Sequence, residues 1–271
     1  MTLLTLDEVV ELPVAKVGGK AKGLARLAAL GLPVPPARVL ASDAHAEFVR
    51  AGHLSEPVLR DLADAAGELG APLAVRSSAA DEDVADKSAA GQYESVMGVV
   101  GAEALRAAVE RCYHAAESER ARAYRGDGEV GLALVVQCEA RAQRAGVAFS
   151  ADPVTGTADW ILIEAAFGHG EGVVAGEVTP DRYRVRRDDG AVMARIADKA
   201  SWVDGRGGGG PLTAERRLAR VLRDDEAQRI GELVQRAERG FGAPVDVEFC
   251  WSGPELWLVQ CRPITTLRAN A

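Results

Sequence analysis

Val245-Asp246-Val247-Glu248-Phe249-Cys250 and Leu256-Trp257-Leu258-Val259-Gln260-Cys261-Arg262 read as two β-strands joined by a short turn through Trp251 to Glu255. Side chains alternate along a strand, so Asp246 and Glu248 share a face, as do Gln260 and Arg262. With Cys250 opposite Leu256, Glu248 falls opposite Leu258 and Asp246 opposite Gln260, and directly opposed residues share a face. The result is one patch of two carboxylates, an amide and a guanidinium. That set suits a divalent cation and the phosphate oxygens it holds. The same spacing also fits an ordinary polar face on an edge hairpin. A one-residue slip in register would scatter the patch.

A chain of 271 residues can bury a sizeable core, as one large domain or two intimate lobes. Hydrophobic content of 48% beside 27% charge is ordinary for a globular protein, and a net charge of -8 gives no electrostatic footprint for nucleic acid. Cys112, Cys138, Cys250 and Cys261 form no CxxC pair and no zinc-ligand spacing, so they read as reduced thiols of a cytoplasmic protein. Met1 to Glu11 lacks the basic and apolar regions of a signal peptide, and no apolar run approaches the ~20 residues that span a membrane.

Along the chain, Gly18-Gly19-Lys20 opens a helical stretch with Leu24, Leu27 and Leu30 on one side, closed by Gly31 and Pro33. Val34 to Leu40 reads as extended and is followed by a helical region to about Gly70. Leu73 to Ser77 is a buried strand running into a small-residue loop that ends near Gly91, and Ala102 to Tyr124 is a long helix. Gly131 to Gln137 and Gly146 to Ser150 look like neighbouring strands, and Trp160 to Glu164 is another. A hairpin turns at Asp188-Asp189-Gly190, and Gly205 to Gly210 reads as a mobile connection. Helices over Thr213 to Leu222 and Asp224 to Arg239 precede the last hairpin. Without regular βαβ alternation, the class is α+β. The expected division is residues 1–125 and 126–271, with interleaving of the two lobes allowed for.

Gly18-Gly19-Lys20 at a helix start offers backbone N–H groups, the positive end of the helix dipole and an ammonium for phosphate, although a lone Gly-Gly-Lys is more often a plain turn. Arg76, at the exit of a buried strand, suits either a structural pair with Glu82 or Asp83 or a bidentate phosphate contact under the loop that follows. Of the four histidines, only His169 sits in a glycine-rich turn, a setting that also occurs without chemistry. Glu171 beside it could meet a ribose or a metal, or simply solvate the turn.

Taken together and in this order, several blocks resemble the nucleotide-binding domain of the phosphoenolpyruvate synthase and pyruvate phosphate dikinase family, to which rifampin phosphotransferase also belongs. The blocks are Gly18-Gly19-Lys20 through Gly31-Leu32-Pro33-Val34-Pro35, Ala74-Val75-Arg76-Ser77-Ser78-Ala79 with Glu82-Asp83, Gly91-Gln92-Tyr93-Glu94 and Val135-Val136-Gln137. Then follow Gly146 to Gly156, Glu164-Ala165 into Gly168 to Glu171, Gly176 to Tyr183 and Asp246 through Thr265. The resemblance implies an ATP-grasp fold, with two α+β lobes enclosing a nucleotide cleft. It implies Lys20 and Arg76 on the ATP phosphates, Glu248 and Gln260 on Mg²⁺ with Asp246 beside them, and Arg262 on the terminal phosphates. It places Gln137 and Glu171 toward the adenine or ribose end. Ala80 departs from the family's usual Thr, and the stretch between Ala37 and Leu73 is shorter than in the full-length enzymes.

The family enzymes split ATP into AMP and phosphate and send the β-phosphate to a histidine on a swivelling domain. No matching histidine motif occurs in this chain, which ends six residues after Thr265. By resemblance it is therefore the ATP-side half of such a phosphotransferase, with a phosphohistidine carrier or acceptor domain on a separate partner chain. Met1 and the complete first block point to a natural start. Direct transfer to a small molecule or carboxylate, and a non-catalytic ATP-sensing subunit, are the two other readings. The second fits poorly with an intact set of Lys20, Arg76, Glu248, Gln260 and Arg262.

Overall fold

Strand periodicity resolves into two main sheets in a computed structural model, which describes residues 3–80, 95–117 and 131–264. The chain divides into two compact units, one of Met1–Ala29 with Pro35–Glu139, the other of Leu30–Val34 with Ala140–Ala271. The division falls after Glu139 rather than after residue 125 because β5 (Ala133–Cys138) is a central strand of the first sheet, between β2 (Ala37–Leu40) and β3 (Leu73–Ser78). Leu30–Val34 goes with the second unit. Its Pro33 carbonyl accepts the Leu258 N–H at 2.7 Å, and the Leu30 carbonyl accepts from Arg236.

The first unit is a five-stranded antiparallel sheet with order β1-β2-β5-β3-β4, completed by β1 (Leu3–Thr5) and β4 (Ser95–Val99). Helix α1 (Leu6–Val10) begins where Thr5 caps it. The Thr5 hydroxyl accepts from the Glu8 N–H while the Glu8 carboxylate accepts from the Thr5 N–H, a reciprocal box legible in the sequence Thr-x-x-Glu. Helices α3 (Ser42–Ala51), α4 (Glu56–Leu69) and α5 (Ala102–Ala116) bury Phe48, Val58, Leu62, Leu105 and Tyr113 in one core with Leu73, Val75, Leu134 and Val136 of the sheet. Helix α2 (Val14–Ala29) packs on the opposite face, the one that carries Arg76 and Ser78.

In the second unit six strands run in the order β13-β12-β6-β7-β8-β9: β6 (Arg144–Phe149), β7 (Trp160–Phe167), β8 (Asp181–Arg186), β9 (Val192–Arg195), β12 (Val245–Ser252) and β13 (Glu255–Pro263). Helix α8 (Asp224–Phe241) covers one face. Its buried Ala227, Ile230, Val234, Ala237 and Phe241 recur at helical spacing, and Gly242, at φ 65, ends it by donating its N–H to the Glu238 carbonyl. The alternation in β8 is complete: Asp181, Tyr183 and Val185 are buried, Arg182, Arg184 and Arg186 exposed. The short helices α6 (Glu171–Val174) and α7 (Ala214–Leu218) lie in the connections.

Two expectations need correction. Gly131 to Gln137 and Gly146 to Ser150 are not neighbouring strands, because β5 pairs with β2 and β3 while β6 pairs with β12 and β7. Gly205 to Gly210 is not a featureless connection. It contains the turn and part of one strand of a hairpin of β10 (Ser201–Val203) and β11 (Gly209–Pro211), held by Asp204 accepting the N–H groups of Arg206 and Gly208. Helix α5 is described to Ala116, and the expected continuation to Tyr124 lies outside the described residues, as do Glu82, Asp83, Gly91 to Glu94 and Thr265.

A buried polar knot closes the second unit. Lys199, 1% exposed, donates to Asp181 Oδ1 at 2.6 Å, and Asp181 also accepts from the Ala197 N–H, the Val221 N–H and the Tyr183 hydroxyl. The Tyr183 oxygen in turn accepts the Leu222 N–H, and burial pushes its pKa up to about 12. One carboxylate thus fixes both ends of the connection from β9 to α8. Nearby, Arg144 forks onto Glu226 at 2.7 and 2.9 Å, and the Arg223 N–H adds a third bond. Burial works to raise the Glu226 pKa, but the bonds from Arg144 and Arg223 outweigh it and leave the carboxyl below its usual range.

Asp181→Ala strands a buried ammonium and is expected to cost about 3–5 kcal/mol in denaturant unfolding. Lys199→Met should cost less, because Asp181 keeps its other donors. The Glu226 contribution is complete above the ordinary glutamate pKa and is lost as pH falls through the lowered folded value. Glu226→Gln should therefore lower stability at neutral pH and flatten the acid limb of a melting-temperature profile.

Candidate functional site

Three of the eight residues singled out from sequence belong to the first unit. Helix α2 is broken at Gly18, whose φ of 77 lies in the left-handed region, so Gly18-Gly19-Lys20 forms a turn before the helix proper. That turn is bound to the end of β3: Gly19 N–H donates to the Ala79 carbonyl at 2.9 Å, and the Ser78 hydroxyl donates to the Val17 carbonyl and accepts from the Ala21 N–H. A Cβ on Gly18 would stand 2.0 Å from the Ser78 carbonyl oxygen, so the approach needs glycine. Arg76, half-buried, precedes Ser78 by two positions on the same face of β3. Gln137 lies opposite Ala74 in β5 and so shares that face as a diagonal neighbour of Arg76. Its side chain is 3% exposed, yet its amide nitrogen finds no hydrogen-bond partner among the described residues.

The other five belong to the second unit. The expected register of the last hairpin is wrong, and its consequence is nevertheless present. A two-residue turn at Gly253-Pro254 pairs Ser252 with Glu255, which sets Cys250 opposite Trp257 rather than Leu256. This is the one-residue slip that would scatter the patch. Between Phe249↔Leu258 and Glu248↔Gln260 the register shifts by one residue, leaving Val259 as a bulge in β13. The bulge restores the parity, so Glu248 lies directly opposite Gln260 and Asp246 opposite Arg262, all four on one face. The Arg262 Nε donates to Asp246 Oδ2 at 2.9 Å.

Glu171 opens α6, which packs through Val173 against Val147 and Ala166. Val147 is the residue of β6 opposite Glu248, so α6 and the carboxylate patch occupy the same face of the sheet. The Glu171 N–H donates to His169 Nδ1 at 3.4 Å, and the His169 ring is covered by the loop at Gly205. His169 is thereby a structural element of the turn. Sequence reasoning passed over Ser78 as a clamp, and also the Glu164–Arg182 ion pair at 2.8 Å. Glu164 pairs with Val147 and so continues the row from Glu248 across β6 to β7. Alternation in β7 and β8 was the signal that could have found it.

Among the described residues no cluster of three or more His, Cys, Asp or Glu is placed to hold a metal. The oxygen atoms of Glu248, Gln260 and Asp246 form a hard donor set that fits Mg²⁺ completed by water and phosphate. No helix of the described residues is long and apolar enough to cross a membrane.

Residues 56–271 match the family model for the pyruvate phosphate dikinase AMP/ATP-binding domain. The chain belongs to that family. Each of its two units combines helices with an antiparallel sheet, the expected α+β class. Among curated relatives, a probable phosphoenolpyruvate synthase of Methanocaldococcus jannaschii is 31% identical over 97% of this chain and 26% of its own length. A rifampicin phosphotransferase of Streptomyces sviceus is 34% identical over 98% of the chain and 36% of its own length. The chain thus spans about a quarter to a third of these relatives. Among solved structures, the dinucleotide-forming acetyl-coenzyme A synthetase 1 of Ca. Korarchaeum cryptofilum aligns over 91% of this chain and 92% of its own, at a TM-score of 0.47 and 14% identity.

Gly18→Ala forces both a left-handed φ and a backbone clash. It is expected to cost about 2 kcal/mol or more and to abolish detectable ATP binding by calorimetry, whereas Gly19→Ala should retain binding more fully.

Proposed function

We propose that this chain is the ATP-binding half of a dikinase-type phosphotransferase, passing the β-phosphate of ATP to a histidine on a separate partner with release of AMP and phosphate. The observation that carries the reading is the direct opposition of Glu248 with Gln260 and of Asp246 with Arg262 on one face of the terminal hairpin. In this assignment Glu248 and Gln260 hold Mg²⁺, which supplies charge neutralisation at the phosphate oxygens. Asp246 orients the Arg262 guanidinium, which in this assignment meets the terminal phosphates. Lys20 and Arg76 contact phosphate from the first unit. Gln137, with its spare buried amide donor, meets the adenine, and Glu171 meets the ribose.

Phosphoryl transfer asks for position and charge rather than covalent help from side chains. The α–β anhydride breaks as a histidine nitrogen takes the β-phosphorus, AMP leaves, and a water is consumed when the γ-phosphate is released. The names of the relatives, a phosphoenolpyruvate synthase and a rifampicin phosphotransferase, support a phosphotransferase role.

The test is product analysis with Mg·ATP labelled separately at the β and γ positions, run alone and with candidate histidine-bearing partners. AMP with β-label on a partner histidine is the expected result. ADP, or label on a small molecule without a partner, would replace the proposal with direct transfer. Arg262→Lys should lower partner phosphorylation by about 100-fold or more while ATP still binds.

A further inference from the structure

Strand β12 enters its sheet one residue before the carboxylate patch begins. Its ladder with β6 runs from Trp251↔Arg144 to Asp246↔Phe149, and the next step sets Val245 beside Ser150, both of them buried. A regular antiparallel pair at this position would give the Val245 N–H to the Ser150 carbonyl. Instead the Ser150 N–H donates to the Val245 carbonyl at 2.9 Å, while the Val245 N–H donates to the Ser150 hydroxyl at 2.8 Å. One serine thus takes both backbone groups of the residue that precedes Asp246.

The carbonyl released by that exchange has its own donor. Arg187, just past the end of β8, donates from Nη2 to the Ser150 carbonyl, and its guanidinium forks onto Glu238 of α8 at 2.6 and 3.0 Å. The Arg187 N–H also donates to the Asp159 carbonyl at 3.2 Å. Because α8 leads through Gly242, Ala243 and Pro244 into β12, the brace returns to the strand that it supports. Across the hairpin Val245 stands opposite Pro263, which has no N–H to donate, so this end of the strand leans on β6.

Strand ends are the first part of a sheet to open, and Asp246 is the second residue of its strand. The Asp246–Arg262 bond and the opposition of Glu248 with Gln260 follow directly from where that end lies. A metal–phosphate site keeps its geometry only within about 0.5 Å, so the elements that carry it need support from behind. We infer, on the assignment of the terminal hairpin to Mg·ATP made above, that Ser150 is a positioning residue for that site, braced by Arg187 and Glu238. The serine acts through the Val245 backbone and not by contact with the nucleotide. Its hydroxyl fixes the start of the face on which Asp246, Glu248, Gln260 and Arg262 meet.

Calorimetric titration of the full chain with Mg·ATP, and separately with ATP in EDTA, distinguishes positioning from plain stability. Each variant is titrated at a temperature where circular dichroism shows it folded. Ser150→Ala is expected to weaken Mg·ATP binding by about tenfold or more and metal-free ATP binding less. Arg187→Met should act in the same direction, and Arg187→Lys should recover part of the loss. Wild-type Mg·ATP affinity in a folded Ser150→Ala chain, or in Arg187→Met should the serine variant not fold, overturns the inference. An equal loss for the two titrants overturns it as well, since that marks a general loosening. An unaltered chain that binds no Mg·ATP overturns the assignment of the hairpin itself, and the role of Ser150 with it.

Discussion

The bulge at Val259 is the constraint on which the carboxylate patch depends. A two-residue turn at Gly253-Pro254 sets the odd register near the hairpin tip, in which Cys250 faces Trp257. Carried unchanged to the far end, that register would set Gln260 and Arg262 against the helix-covered face and separate them from Asp246 and Glu248. One extra residue in β13 cancels the slip. Because β12 remains regular against β6 from Asp246 to Trp251, the same strand also keeps its other face in order, with Val247 and Phe249 buried and Trp251 beside Arg144. A local irregularity in one strand thus decides which chemistry the sheet presents.

A turn in the first unit likewise depends on close backbone approach, and glycine permits it there. The turn that carries Lys20 is held by the N–H groups of Gly19 and Ala21 donating to Ala79 and Ser78, and by the Ser78 hydroxyl donating to the Val17 carbonyl. The closeness of the two backbones forbids any side chain at Gly18. Arg76 and Ser78 share a strand face, so one element supplies both the guanidinium and the clamp. In the second unit Asp181 does a comparable job for a longer connection, collecting four donors on one buried carboxylate. The two devices differ in sensitivity: Gly18 is a steric requirement, and Asp181 is an electrostatic one that loses force once a partner is removed.

Much of this was legible from residue order. The α+β class, the Gly-Gly-Lys turn, the strand carrying Arg76, the hairpin at Asp189-Gly190, and the sharing of a face within each pair, Asp246 with Glu248 and Gln260 with Arg262, follow from periodicity and turn chemistry. The pairing of the terminal hairpin did not, because a bulge has no periodic signature and the joining of the two pairs on one face depends on it. The partners of β5 and β6 did not either, since sequence neighbours in a chain of short strands have no local mark of the sheet they join. Gly205 to Gly210 read as mobile because glycine composition says nothing of the Asp204 side chain that orders the turn.

The sequence by itself determined which residues can share a face, through the two-residue period of strands, and which positions must be glycine or a capping side chain. Only the tertiary structure decided where a bulge resets that period. It also decided which buried donors, at Gln137 and Trp251, are left without an acceptor among the described residues, and that Asp181 closes a connection from Ala197 to Leu222. The physical reason is range: propensity and alternation act over a few residues, whereas hydrogen-bond satisfaction and register are settled by groups far apart in the chain.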